Sequence, residues 1–140
     1  MNTTPLRLFL AGACWIALTA WSHAEPALLG HKGFTGQSLD ADAVKAVLLG
    51  KKVALGDSRV IIVIAKASES QDQFLQQSVG MTTSQFQNYW RRLFMTGGGS
   101  APKIVDNDAD ACKVASETAG AIAIADKAKA GDLVVLATAK

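Results

Sequence analysis

Histidine and cysteine are nearly absent from this chain, and that scarcity removes most enzyme classes before any motif is read. Only His23, His31, Cys14 and Cys112 are present among 140 residues. A His-based catalytic triad or a multi-histidine metal site is hard to build from such a set. No charge of one sign dominates either: fourteen lysines and arginines stand against twelve aspartates and glutamates. Without a basic stripe or an acidic tail, nothing argues for nucleic-acid binding or for a disordered module. No internal repeat is visible.

One long apolar run is present, at the N-terminus, and it reads as an export signal. Arg7 is the only charge ahead of an apolar stretch over residues 8–20, and Ser22-His23-Ala24 offers a small-x-small cleavage site before Glu25-Pro26. The run is short for a membrane span, and a retained N-terminal anchor is the alternative reading. A lipoprotein signal at Cys14 is out of register by one residue, given Leu10-Ala11-Gly12-Ala13 before it. The expected division is a cleaved signal over 1–24 and a single α/β domain over 25–140, a length suited to one core. Cleavage removes Cys14 and His23, so Cys112 is the sole mature cysteine and cannot form an intramolecular disulfide. It falls on the apolar side of an expected helix and reads as a small buried hydrophobe. His31, in a glycine-rich segment, reads as a solvated loop residue rather than a catalytic base.

Hydrophobic periodicity divides the rest. Ala27-Leu28-Leu29 suggests a weak first strand. Asp40 caps a helix whose Val44, Val47 and Leu48 share a face, with Leu39 and Val44 as a staple and Gly50 as its C′ residue. Residues 51–55 are extended and Gly56-Asp57-Ser58 is a turn. Val60-Ile61-Ile62-Val63-Ile64-Ala65 is an apolar, largely β-branched run, the pattern of a strand buried on both faces. Ser70 with Gln73 forms a capping-box pattern for a helix carrying Phe74, Leu75 and Val79. Thr82 with Gln85 forms another, opening a helix on which Phe86, Tyr89, Trp90, Leu93 and Phe94 share a face. An acid-rich start from Asp106 to Asp110 suits the N-terminus of a helix running to Gly120. Ala121-Ile122-Ala123-Ile124 and Leu133-Val134-Val135-Leu136 are the last strands. The expected architecture is α/β: an open sheet with helices on both faces, in three layers.

Three segments could carry chemistry. Asp106, Asp108 and Asp110 alternate as in a calcium loop, and Glu117 fits the loop's last position, but Ala111 stands where glycine is required. Complementing a helix dipole is the better reading of those acids. Gly97 to Ser100 lacks the Gly-Lys-Ser/Thr ending of a nucleotide-binding loop and reads as a helix cap and turn. Ser68-Glu69-Ser70, straight after the apolar strand, sets a helix N-terminus at a strand's C-terminal end, where open α/β sheets bind ligands. Lys66 adds a cation. The competing reading is that Ser70 merely caps its own helix.

The order of these pieces resembles the periplasmic phosphate-binding subunits of ABC importers. The resemblance rests on Val47-Leu48-Leu49-Gly50-Lys51, the Gly56-Asp57 turn, the apolar strand with its serine loop and Phe74, Tyr89-Trp90 with Phe94 and the glycines, Pro102, and Val114 through Gly120-Ala121-Ile122. It implies one lobe of a type II binding protein, no catalysis and no cofactor. In that family the loop after the strand reads Arg-x-x-Ser-Gly-Thr and donates hydrogen bonds to phosphate. Aligned on Phe74, Lys66 stands at the arginine, Glu69 at the serine, Ser70 at the glycine and Gln71 at the threonine. Lysine keeps the charge without the guanidinium fork, and Glu69 opposes an anion. The receptors also close two lobes on the ion, whereas residues 25–140 suffice for about one.

The expectation is therefore a periplasmic solute-binding-like protein with a degraded anion loop. Lys66, Ser68, Ser70 and Gln71 are its candidate ligands for phosphate or a similar oxyanion. Membrane subunits of an ABC importer or another envelope protein are the expected partners. The alternative is an envelope protein-interaction module that keeps the receptor-lobe fold, favoured if Tyr89 or Trp90 is exposed.

Overall fold

Residues 25–97 and 101–138 are described in this computed structural model; the expected leader and Gly98-Gly99-Ser100 lie outside them. In chain order the elements are β1 (Pro26–Gly30), α1 (Ala41–Leu48), β2 (Ala54–Leu55), β3 (Ser58–Arg59), β4 (Ile61–Ala65), α2 (Glu69–Val79), α3 (Thr83–Met95), β5 (Lys103–Val105), α4 (Asp108–Glu117), β6 (Ala121–Asp126) and β7 (Val134–Thr138). Five strands form one sheet in the order β5-β4-β6-β1-β7, and β2 with β3 forms a small hairpin. The β5-β4-β6 half is parallel and the β6-β1-β7 half antiparallel. It is a mixed α/β sheet with helices on both faces, as expected.

Strand β6 shows how the sequence divides the core. Successive side chains of a strand point to opposite faces. Ile122 and Ile124 join one core with Val47 of α1, Phe74 of α2 and Phe86 of α3, while Ala121, Ala123 and Ala125 join a second with Ala111 and Ala115 of α4. The bulky face fills the space beneath three helices. On the other face, alanine against alanine lets α4 lie close to the sheet at native packing density.

Strand β1 is stronger than its short sequence suggests. All five residues are buried, and it pairs on one side with β6 and on the other with β7. Its order comes from two neighbours rather than from its own propensity.

The helix ends follow their capping chemistry. Asp40 Oδ1 accepts from Ala43 N at 2.7 Å. Thr82 and Gln85 complete a reciprocal capping box on α3, with Gln85 N donating to Thr82 Oγ1 at 3.2 Å and Thr82 N donating to Gln85 Oε1 at 3.0 Å. Thr82→Ala removes one side of this exposed box and should destabilise the fold by about 1 kcal/mol. The check is a lower urea midpoint at an unchanged denaturant slope.

The aromatic helix is mainly core. Trp90 is 6% exposed, its Nε1 donates to Leu48 O at 3.0 Å, and Tyr89 OH donates to Leu49 O at 2.7 Å. The last carbonyls of α1, which have no partner within their own helix, are thus satisfied by α3. Phe94, read as sharing a face with Phe86 and Trp90, does not share their burial: it is 58% exposed. It lies off the centre of the stripe, in the helix's last turn.

Candidate functional site

The corner where β4 hands over to α2 is braced from beneath by one buried amide. Strand β4 pairs with β6 only as far as Val63 opposite Ala123, which leaves the end of β4 in need of partners on that side. Gln71 supplies them. Its Oε1 accepts from Ala65 N at 2.9 Å, and its Nε2 donates to Ala65 O at 2.9 Å and to Thr83 Oγ1 at 3.0 Å. The side chain is 0% exposed, so the amide stands in for a neighbouring peptide group within the core. Asp72 Oδ1 accepts from Thr83 N at 2.7 Å, tying the start of α3 to the same corner.

Above this brace the serine loop turns into α2. Ser68, with extended backbone, is the N-cap, and its Oγ accepts from Gln71 N at 3.1 Å. This corrects the capping-box expectation at Ser70 and Gln73: Ser70 lies inside the first turn and is half-buried, and Gln73 is exposed. The spacing Ser-x-x-Gln occurs twice here. Burial of Gln71 selects the first occurrence, but its amide goes to β4 and no reciprocal box forms.

Lys66 is held by its backbone and shared through its side chain. Its N–H donates to Val105 O at 2.8 Å, and its Nζ lies 3.0 Å from Asp106 Oδ1 just past β5. The two side chains are 67% and 73% exposed, so the pair contributes little to stability and exchanges easily with solvent ions.

These residues meet at the C-terminal ends of two parallel strands, but not in one pocket. The shallow depression containing Lys66, about 400 Å³, is otherwise lined from β5 and α4, by residues that include Asp106, Asp110, Lys113 and Glu117. Neither Ser68 nor Ser70 lines it. Lysine charge, the Ser68 hydroxyl and the first-turn N–H groups of α2 can each hold an oxyanion. The same corner, however, carries its own carboxylates: Asp106 sits on Lys66, Asp72 serves α3, and Glu69 is exposed at the first position of α2. Of the four residues expected to contact an anion, Gln71 has its side chain committed to Ala65 and Thr83. Asp106 was missed as the partner of Lys66 because nothing along the chain reports that β5 lies beside β4.

The remaining candidates resolve into local roles. His31 Nδ1 accepts from Gly33 N at 3.0 Å and caps a single 3₁₀ turn. Asn107 caps α4, with Asp108 and Asp110 in its first turn, as the dipole reading anticipates. No cluster of three or more metal-binding side chains occurs among the described residues. Cys112 is half-buried against the alanine core; desolvation, with the Asp108 charge, raises its pKa and outweighs Lys129. Its thiol is a poor nucleophile at neutral pH.

No known family model and no curated protein matches the sequence. Two solved structures share the fold. One is a protein from Clostridium perfringens assigned as a phosphate ABC transporter substrate-binding protein and solved with bound phosphate. It is 15% identical with a TM-score of 0.60, over 80% of this chain and 44% of that one. The other is an ABC-type phosphate transport receptor from Vibrio cholerae, 9% identical with a TM-score of 0.58, over 80% of this chain and 45% of that one. The chain thus spans less than half the length of either. At these identities the likeness is one of fold alone, an α/β fold shared with part of each structure.

Proposed function

We propose that this chain is an exported, periplasmic solute-binding-like lobe whose corner at Lys66, Ser68 and Ser70 takes phosphate or a similar oxyanion for an ABC importer. The observation that carries this reading is the Ser68-capped start of α2, set directly after β4 with Lys66 between them. The fold likeness to two phosphate-receptor structures supports it. Gln71 acts in this reading as a positioning residue, through its hold on Ala65 rather than by touching the anion.

Binding at this corner is a competition. An incoming oxyanion must displace Asp106 from Lys66 and approach Glu69, and it has water as a rival for every hydrogen bond. The lobe therefore binds weakly alone and more tightly when a partner surface supplies further donors. Asp106→Asn should tighten phosphate binding about fivefold, the effect of removing roughly 1 kcal/mol of exposed opposing charge. Lys66→Ala should weaken it. Isothermal titration with phosphate, sulfate and molybdate tests this. No heat at millimolar ligand from either the natural protein or Asp106→Asn, with the fold intact, would sink the direct-binding reading.

The interaction-module reading loses its aromatic version. Tyr89 and Trp90 are engaged with the carbonyls of α1, and Trp90 is buried.

A further inference from the structure

A second concavity, unconnected with the anion corner, opens at the other end of the sheet. It lies at the start of β4, between the C-terminal end of α1, the extended segment leading to β2, and the last turns of α3, and encloses about 440 Å³. That is the size of a small-molecule site. Its floor is apolar: Val53 and Ile61, which line it, are 57% and 38% exposed, and Leu93 of α3 is partly buried beside them. Its charged lining residues are Lys51, Lys52 and Arg59, with no carboxylate among them. Among the described residues, neither Lys51 nor Lys52 has a carboxylate within ion-pair distance.

The backbone around the cleft narrows what can fit. The N–H groups of Lys51 and Lys52 both donate to Ala46 O, that of Val60 to Val53 O, and that of Ile61 to Gly120 O. The indole and phenol of Trp90 and Tyr89 are bound to α1. An extended peptide, which needs main-chain partners, finds these donors taken. What remains is an apolar surface lined also by two lysines that make no ion pair among the described residues. Such a surface holds an apolar body by burial and orients one negative head by charge.

We infer that this cleft binds a small anionic amphiphile, an apolar chain or ring bearing a single carboxylate, with Lys51 and Lys52 at its head and Val53, Ile61 and Leu93 along its body. The site is independent of the phosphate reading, since it lies at the opposite end of β4 from Lys66.

Octanoate is the probe, with octanol and octylammonium as neutral and cationic counterparts. Titration of the purified protein, followed by calorimetry and by methyl NMR, should give saturable octanoate binding that shifts the Val53, Ile61 and Leu93 methyls. Octanol should bind at least about tenfold more weakly, and octylammonium should not saturate. The double variant Lys51→Glu, Lys52→Glu should lose at least about tenfold in octanoate affinity, and Lys51→Gln, Lys52→Gln should lose less. Both lysines are exposed, so far-UV circular dichroism should be unchanged. Phosphate should leave the three methyls unmoved, so the two sites can fail separately. Equal binding of octanol and octanoate, shifts confined to other residues, or no saturation would each overturn the assignment.

Discussion

Gln71→Leu is expected to lower the unfolding free energy by about 3–5 kcal/mol, a large part of the total that a domain of this size possesses. Leucine nearly preserves the volume, so a cavity is not the source. The loss comes from hydrogen bonds. Ala65 N and Ala65 O, both in a buried residue, lose the partners that bound them at 2.9 Å, and Thr83 Oγ1 loses a donor at 3.0 Å. Each abandoned buried group carries a desolvation penalty of about 1–3 kcal/mol, and water has no route to a site that is 0% exposed. Urea denaturation should show the change as a lower midpoint. The variant also tests how the corner works, because Lys66 and Ser68 follow directly on Ala65. In whatever fraction stays folded, phosphate binding should weaken although the substituted side chain never faced solvent. A loss below about 1 kcal/mol would show that the amide does not brace β4.

That brace marks the limit of what the chain discloses along its length. The strand over residues 60–65, the box at Thr82 and Gln85 and the cap at Asp40 all depend on near neighbours, and each was legible. Ser68-x-x-Gln71 and Ser70-x-x-Gln73 were equivalent as local patterns. The choice between them lay in the contact of Gln71 with Ala65 and Thr83, twelve residues apart in sequence from the latter. The Lys66–Asp106 pair has the same character, since it requires β5 to dock beside β4. Strand β1 was under-read because five residues give too little periodicity, while its two flanking strands do the ordering. The candidate anion corner follows this division. Residue type marked it and already set Glu69 against an anion, but Asp106, the partner of Lys66, came into view only with strand order.

Gly120→Ala should be comparably damaging, at about 3 kcal/mol or more, for a reason unrelated to polarity. Gly120 has φ of +83°, a left-handed conformation that alone disfavours alanine by about 1–2 kcal/mol. A Cβ placed there would also run into the carbonyl oxygen of Arg59, which is backbone and cannot rotate away. Easing that clash means moving β3 from the turn before β6, where Ile61 N donates to Gly120 O at 2.9 Å and fixes the start of the β4–β6 register. Overpacking of this kind adds roughly 1–3 kcal/mol. Gly80 separates the two contributions: its φ is +70°, and a Cβ there meets nothing within 4 Å. Gly80→Ala should therefore show only the conformational part, and Gly80→Asn should recover most of it because asparagine tolerates this region. At Gly120 asparagine should rescue nothing, since its Cβ meets the same carbonyl. Equal midpoints for Gly80→Ala and Gly120→Ala in urea would remove the steric part of the argument and leave only the backbone angle.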